Sequence, residues 1–293
     1  MRISRWTALS AALLLGACAT AEPRPATAGA NAVDRAHLDA MSHEHAGETP
    51  TPNGSAMEPR QDVVAQDVEY LTVDGKAVRG YEARPANAAV GAKLPSIIVI
   101  HEWYGLNDNV RMMTRRLAGE GYRAFAVDMY NGQVASNPDE ARMLMGGVME
   151  NPQGGTANLA AAARSLETRT GADRIAILGW CFGGAWSLEG ALSMPAQIDA
   201  AVMYYGRPVT DRARLAGLRA PLLGLFGGAD QGIPVAQVRQ METTLRELNK
   251  DVTIQVYEGA GHAFANPSGQ SYNAVAAEDS WMRTTAFLAR HLR

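Results

Sequence analysis

One cysteine sits where nucleophilic chemistry would be expected. Cys181 is the third residue of Gly179-Trp180-Cys181-Phe182-Gly183-Gly184. The apolar run Ile175 to Leu178 before it predicts a strand, and Gly183 to Ser193 after it predicts a helix. Together they describe a sharp strand-to-helix turn that lifts its central side chain clear of the sheet. Side chains two residues before or after that centre would strike neighbouring backbone, which accounts for glycine at 179 and 183. The helix start offers unpaired N–H groups that favour a thiolate. The N–H of Phe182 is placed to stabilise an oxyanion. A phosphate loop is excluded because no Lys-Ser/Thr pair follows, and the glycine spacing does not fit a dinucleotide fingerprint.

Two further residues complete an acyl-transfer set in the chain order nucleophile, acid, histidine. Gly227-Gly228-Ala229-Asp230 follows the apolar run Leu222 to Phe226, placing Asp230 at a strand's carboxyl end. Gly259-Ala260-Gly261-His262 follows Val252 to Tyr257, placing His262 on a loop at the same edge. In this arrangement His262 takes the thiol proton and returns it to the leaving group, while Asp230 orients the imidazole.

The elements that must position these residues alternate along the chain. Val68–Val73 and Val78–Arg84 flank Asp74-Gly75, a hairpin turn signal. Strands are predicted at 96–100, 122–127, 174–179, 200–205, 221–226 and 252–257. Helices are predicted at 109–120, 139–149, 158–168, 183–193, 235–248 and 272–292. Strands alternating with helices imply crossover connections, hence an α/β fold with a mostly parallel central sheet and helices on both faces. Residues 62–293 form one such domain.

The N-terminal stretch is different. Arg2 and Arg5 precede an apolar run, Trp6 to Ala17, too short to span a bilayer and suited to an export signal. Its end, Leu15-Gly16-Ala17-Cys18, resembles the bacterial lipobox. Residues 1–17 are therefore expected to be a lipoprotein signal peptide. Lipidation of Cys18 would leave the protein exported and membrane-anchored, facing the periplasm; the alternative is a plain secreted periplasmic protein. Residues 18–61 are rich in Ala, Pro, Thr and Gly and read as a flexible tether. His37, His43 and His45 within it read as solvated polar residues, since no cysteine or carboxylate framework accompanies them. With Cys18 lipidated, Cys181 has no disulfide partner among the two cysteines of the chain. The formal net charge of −3 gives no basic excess for nucleic acid.

Taken together, the stretches Ile100-His-Glu-Trp-Tyr-Gly-Leu-Asn107, Gly121-Tyr122 with Asp128-Met-Tyr130, Gly179 to Gly184, Tyr204-Tyr-Gly206, Gly227 to Asp230 and Gly261-His-Ala-Phe264 resemble the dienelactone hydrolase family over residues 66–292. The resemblance implies an α/β-hydrolase fold, no metal and no organic cofactor. It also implies that Glu102 contacts the resting thiol and helps to generate the thiolate, and that the N–H of Trp103 completes the oxyanion hole. A carboxylate at the end of a buried strand is costly unless protonated or paired, which agrees with a special role for Glu102. Trp103 and Tyr104 could line the acyl pocket or pack against helices.

The family's substrate carboxylate is held by two arginines. Arg142 matches one, but Asn266 stands where the other is expected, and loss of one charged anchor weakens anion binding by about 1.5–3 kcal/mol. The expected reaction is therefore hydrolysis of a small, neutral ester or lactone through a Cys181 thioester, by a monomeric protein. A non-catalytic cell-surface binding domain is the alternative, disfavoured because such a module needs none of Cys181, Asp230, His262 and Glu102. A metal-dependent hydrolase is disfavoured because the domain shows no paired ligand spacing.

Overall fold

A computed structural model describes residues 28–45, 58–89 and 91–293. In chain order its elements are α1 (Ala28–Glu44), β1 (Val63–Val73), β2 (Lys76–Pro85), β3 (Ser96–Ile100), α2 (Asp108–Gly119), β4 (Arg123–Val127), α3 (Pro138–Glu150) and α4 (Pro152–Thr170). There follow β5 (Ile175–Trp180), α5 (Phe182–Ser193), β6 (Ala200–Tyr204), α6 (Arg212–Leu215), β7 (Leu222–Gly227), α7 (Val235–Glu247), β8 (Val252–Tyr257) and α8 (Ala274–Leu292). The strands form one sheet in the order β1-β2-β4-β3-β5-β6-β7-β8. β1 and β2 pair antiparallel with each other, and β2 antiparallel with β4; all other pairs are parallel.

Sequence chemistry explains this layout. β3, β5, β6 and β7 are buried at every position, as central parallel strands covered on both faces must be. β1 lies at the edge, and its residues are only partly covered. The hairpin turn has positive φ at both Asp74 (49°) and Gly75 (74°), a conformation that aspartate and glycine tolerate best. Asn107, Asn137, Asn151 and Asn273 each accept a bond from a backbone N–H in the first turn of α2, α3, α4 and α8. The capping Asn151 with Pro152 starts α4 six residues earlier than the alanine run alone suggested.

The expected tether differs from the structure. Residues Ala28–Glu44 form a helix packed beside α3. Leu38, Met41 and His45 recur at helical spacing, and Met41 and His45 are buried at 0% and 5% exposure. Three large apolar residues in seventeen, Val33, Leu38 and Met41, gave too weak a periodic signal to announce this helix. The signal peptide and Cys18 lie outside the described residues.

Candidate active site

The turn between β5 and α5 is as tight as the glycines suggested. A Cβ on Gly179 would lie 2.2 Å from the carbonyl oxygen of Gly183, and one on Gly183 would lie 2.2 Å from that of Ile100. Neither position accepts a side chain. Cys181 itself adopts φ 54° and ψ −115°, a conformation disfavoured for any residue with a Cβ. Two backbone bonds hold it there: its N–H donates to Tyr204 (3.0 Å), and its carbonyl accepts from Ala185 (3.1 Å). The sulfur thus stands at the open end of α5, 3% exposed.

His262 and Asp230 converge on it. The Nδ1 of His262 lies 2.7 Å from Oδ2 of Asp230, with both side chains about 1% exposed. The other carboxylate oxygen, Oδ1, accepts from the N–H groups of Gly232 (2.9 Å) and Ile233 (2.8 Å). Asp230 therefore caps its own turn while orienting the imidazole. A ring nitrogen of His262 and the Cys181 sulfur lie within 4.8 Å of each other. Burial pushes the Cys181 thiol up, but the adjacent His262 charge, with help from His45, outweighs it and brings the thiol down to about 6. For His262 burial opposes protonation, yet the Cys181 thiolate and Asp230 carboxylate prevail and hold it well above the ordinary imidazole range. The physical content is one buried thiolate–imidazolium pair, each charge stabilising the other.

Glu102 is held by the chain's own side chains. One carboxylate oxygen accepts from the Tyr205 hydroxyl (3.3 Å) and the other from Asn266 Nδ2 (2.6 Å). Asn266 Oδ1 in turn accepts from Asn109 Nδ2 (3.1 Å) and the Ser268 N–H (2.9 Å). Asn266 is therefore more than a missing arginine: it is the clamp on Glu102. Tyr205 lies between the two groups, its ring 5.3 Å from that of His262. Burial raises its hydroxyl well above the usual range, so it stays a donor. The sequence reading missed both roles. A sequence pairs no side chains across 164 residues, and Tyr205 drew notice only within its motif.

The remaining expected residues fall out as follows. Trp103 and Tyr104 are buried at 0% and 6% exposure, and the Tyr130 hydroxyl donates to the Trp103 carbonyl (3.0 Å), fixing that peptide. Phe182 opens α5. Arg142 has a different partner from the one expected: it pairs with Asp39 of α1 at 2.5 Å, and so ties α1 to α3. His101 next to Glu102 is a satisfied core histidine. Its ring nitrogens engage the Glu102 carbonyl (2.5 Å) and the Met129 N–H (3.1 Å), and burial brings its pKa down to about 4.

An unforeseen element covers the sulfur. Met41 Sδ of α1 lies 3.9 Å from Cys181 Sγ. His45 lies against Trp103 with the rings tilted by 31° (4.6 Å between ring centres) and meets His262 edge-on (5.6 Å). Glu44 accepts from the Gln231 N–H at 3.1 Å, beside Asp230. A cavity of about 550 Å³ opens next to Phe182, lined by Met145, Met149, Trp186 and Arg207 among others and reached by His37 of α1.

A buried cysteine–histidine–aspartate set on the rim of an eight-stranded α/β sheet narrows the possibilities, and comparison with known proteins decides among them. The profile of the dienelactone hydrolase family matches residues 78–292. The chain belongs to that family. It is 36% identical over 235 residues to the "Putative carboxymethylenebutenolidase" of Methylorubrum extorquens, covering 75% of this chain and 79% of that protein. It is 33% identical over 236 residues to Protein usf of Aquifex pyrophilus, covering 78% of this chain and all of the other. The "Putative Dienelactone Hydrolase" of Klebsiella pneumoniae superposes with a TM-score of 0.69 at 33% identity, over 78% of this chain and all of that one. This dienelactone hydrolase family member is thus an ester hydrolase with an α/β-hydrolase fold, and α1 lies outside the matched residues.

Proposed function

We propose that this protein hydrolyses small, uncharged esters or lactones through a thioester on Cys181. The observation that carries the reading is the geometry: Asp230 holds Nδ1 of His262 at 2.7 Å, and a ring nitrogen of His262 lies within 4.8 Å of the Cys181 sulfur. The Cys181 thiolate attacks the carbonyl carbon, and the oxyanion so formed accepts from the N–H groups of Phe182 and Trp103. As the tetrahedral adduct collapses, the His262 imidazolium gives its proton to the leaving alkoxide. His262, now neutral, removes a proton from water; the hydroxide attacks the thioester, and the thiolate departs. The acid and the alcohol are released, or a single hydroxy acid from a lactone, and the resting ion pair is restored. Glu102, braced by Tyr205 and Asn266, is held in place beside Tyr205, whose ring faces His262.

Preference for uncharged substrates follows from Asn266 and Arg142. The first is spent on Glu102 and the second on Asp39, so neither is offered to a substrate carboxylate. Comparing kcat/KM across matched neutral and anionic lactones and esters tests this. Neutral substrates are expected to lead by about tenfold or more, the size of one missing charged anchor. A strong preference for anionic lactones would refute it.

Membrane attachment through a lipid on Cys18, facing the periplasm, completes the proposal. It rests on the Leu15-Gly16-Ala17-Cys18 sequence, and Cys18→Ser is expected to move the protein from the membrane to the soluble fraction.

A further inference from the structure

The hydrolytic cycle leaves unexplained why α1 delivers a thioether and an imidazole to the nucleophile. Met41 lies 3.9 Å sulfur to sulfur from Cys181. His45, Cys181 and His262 each offer one ligand atom, and these three atoms lie within 4.8 Å of one another. All four side chains are buried, at 0–5% exposure.

We propose that Cys181, His262, His45 and Met41 form a binding site for a copper(I)-class ion, complete only when α1 is docked, and that its occupation stops hydrolysis. Ligand chemistry selects the ion. A thiolate, a thioether and two imidazoles form a soft set suited to copper, whereas magnesium and calcium require oxygen donors that the four residues lack. Zinc sites draw on cysteine, histidine and carboxylate, and leave the thioether of Met41 unused. Geometry agrees: two sulfurs bound tetrahedrally at roughly 2.3 Å stand about 3.8 Å apart. The support around the ligands is also present. Asp230 holds Nδ1 of His262, which turns Nε2 toward the sulfur, the carboxylate–histidine arrangement that orients metal ligands. The tilted ring contact of His45 with Trp103 supports the second ring.

The step balances without electron transfer. His262 releases its proton to solvent and ligates as neutral imidazole, while the Cys181 thiolate forms the copper–sulfur bond. The monovalent cation takes the place of the released proton, so the net charge of the buried Cys181–His262–Asp230 group is unchanged. With its sulfur engaged and its base deprotonated, the centre cannot attack an ester. That consequence rests on Cys181 being the nucleophile; the binding does not.

Anaerobic titration of the reduced full chain with Cu(I), in competition with a chromophoric Cu(I) chelator, tests the site. One ion per chain is expected. Met41→Leu, which conserves volume, and His45→Gln should each weaken binding about tenfold or more, and Cys181→Ala should abolish it. Melting curves identify any variant that has lost its fold, and Met41→Leu then serves as the deciding variant. Wild-type-like uptake by any one of Met41→Leu, His45→Gln or Cys181→Ala would overturn the four-residue site. In parallel, p-nitrophenyl acetate hydrolysis should fall in proportion to bound copper and return on chelation. Stoichiometric binding with undiminished hydrolysis would overturn the inhibitory half alone.

Discussion

At the level of single residues, the reactivity of Cys181 rests on charge. The thiol would ionise less readily by burial alone, and it is the imidazolium beside it that reverses the sign. With the thiol brought down to about 6, the proposed nucleophile is protonated, and inactive, below that pH. Activity is therefore expected to rise as pH increases through about 6, and to fall at a higher pH as His262 gives up its raised proton. A kcat/KM profile of that shape, with the lower limb matched by the thiolate's ultraviolet absorbance, is the check. Asp230 acts through geometry as well as charge, because its carboxylate fixes which nitrogen of His262 faces the sulfur. Asp230→Asn should lower kcat by roughly 10³- to 10⁴-fold with little loss of fold, by analogy with other triads. Asn266→Ala leaves one oxygen of Glu102 without its 2.6 Å donor. The variant is expected to lose activity mainly through kcat, and Asn266→Gln should restore less than half of it.

The elements explain what the sequence could and could not disclose. All eight strands and the cysteine turn were legible because each has a strong local signal. Continuous apolar runs mark β3 and β5 to β7, and glycines at 179 and 183 mark a turn that admits no Cβ. Cys181, Asp230 and His262 were legible because each follows a strand, and parallel strands end on one side of a sheet. The Asn266 bond to Glu102 and the place of Tyr205 were passed over because these contacts depend on loop packing across distant stretches. Helix α1 escaped notice for a related reason: its Met41 and His45 gain meaning only against the site they cover. The helix is fastened by Asp39–Arg142, a partly exposed ion pair worth no more than about 1 kcal/mol. Arg142→Ala is accordingly expected to speed alkylation of Cys181 by iodoacetamide by up to about fivefold. An unchanged rate would mean that this pair does not hold the helix over the sulfur.

For the molecule as a whole, the matched family region supplies the catalytic frame, and the segment before residue 78 adds both the hairpin edge and the helical cover. One buried charge ties two strands and a helix together within that frame. Glu82 of β2, 3% exposed, bonds Arg123 of β4 (2.8 Å) and Arg169 of α4 (2.7 Å). Removing it leaves Arg123 buried and unpaired, so Glu82→Ala should cost about 3 kcal/mol in urea unfolding, while the active-site residues stay in place. No described helix is long and apolar enough to cross a membrane.

The central claim is that Cys181 carries the acyl group during turnover. Acid-quenching the reaction with p-nitrophenyl acetate and reading the intact and peptide masses tests it most directly. A single acetyl group on the peptide containing Cys181, present in the wild type, accumulating in His262→Ala only slowly and absent from Cys181→Ala, is the predicted result. Turnover at the wild-type rate by Cys181→Ala, or an acyl group carried on any other residue, would contradict it.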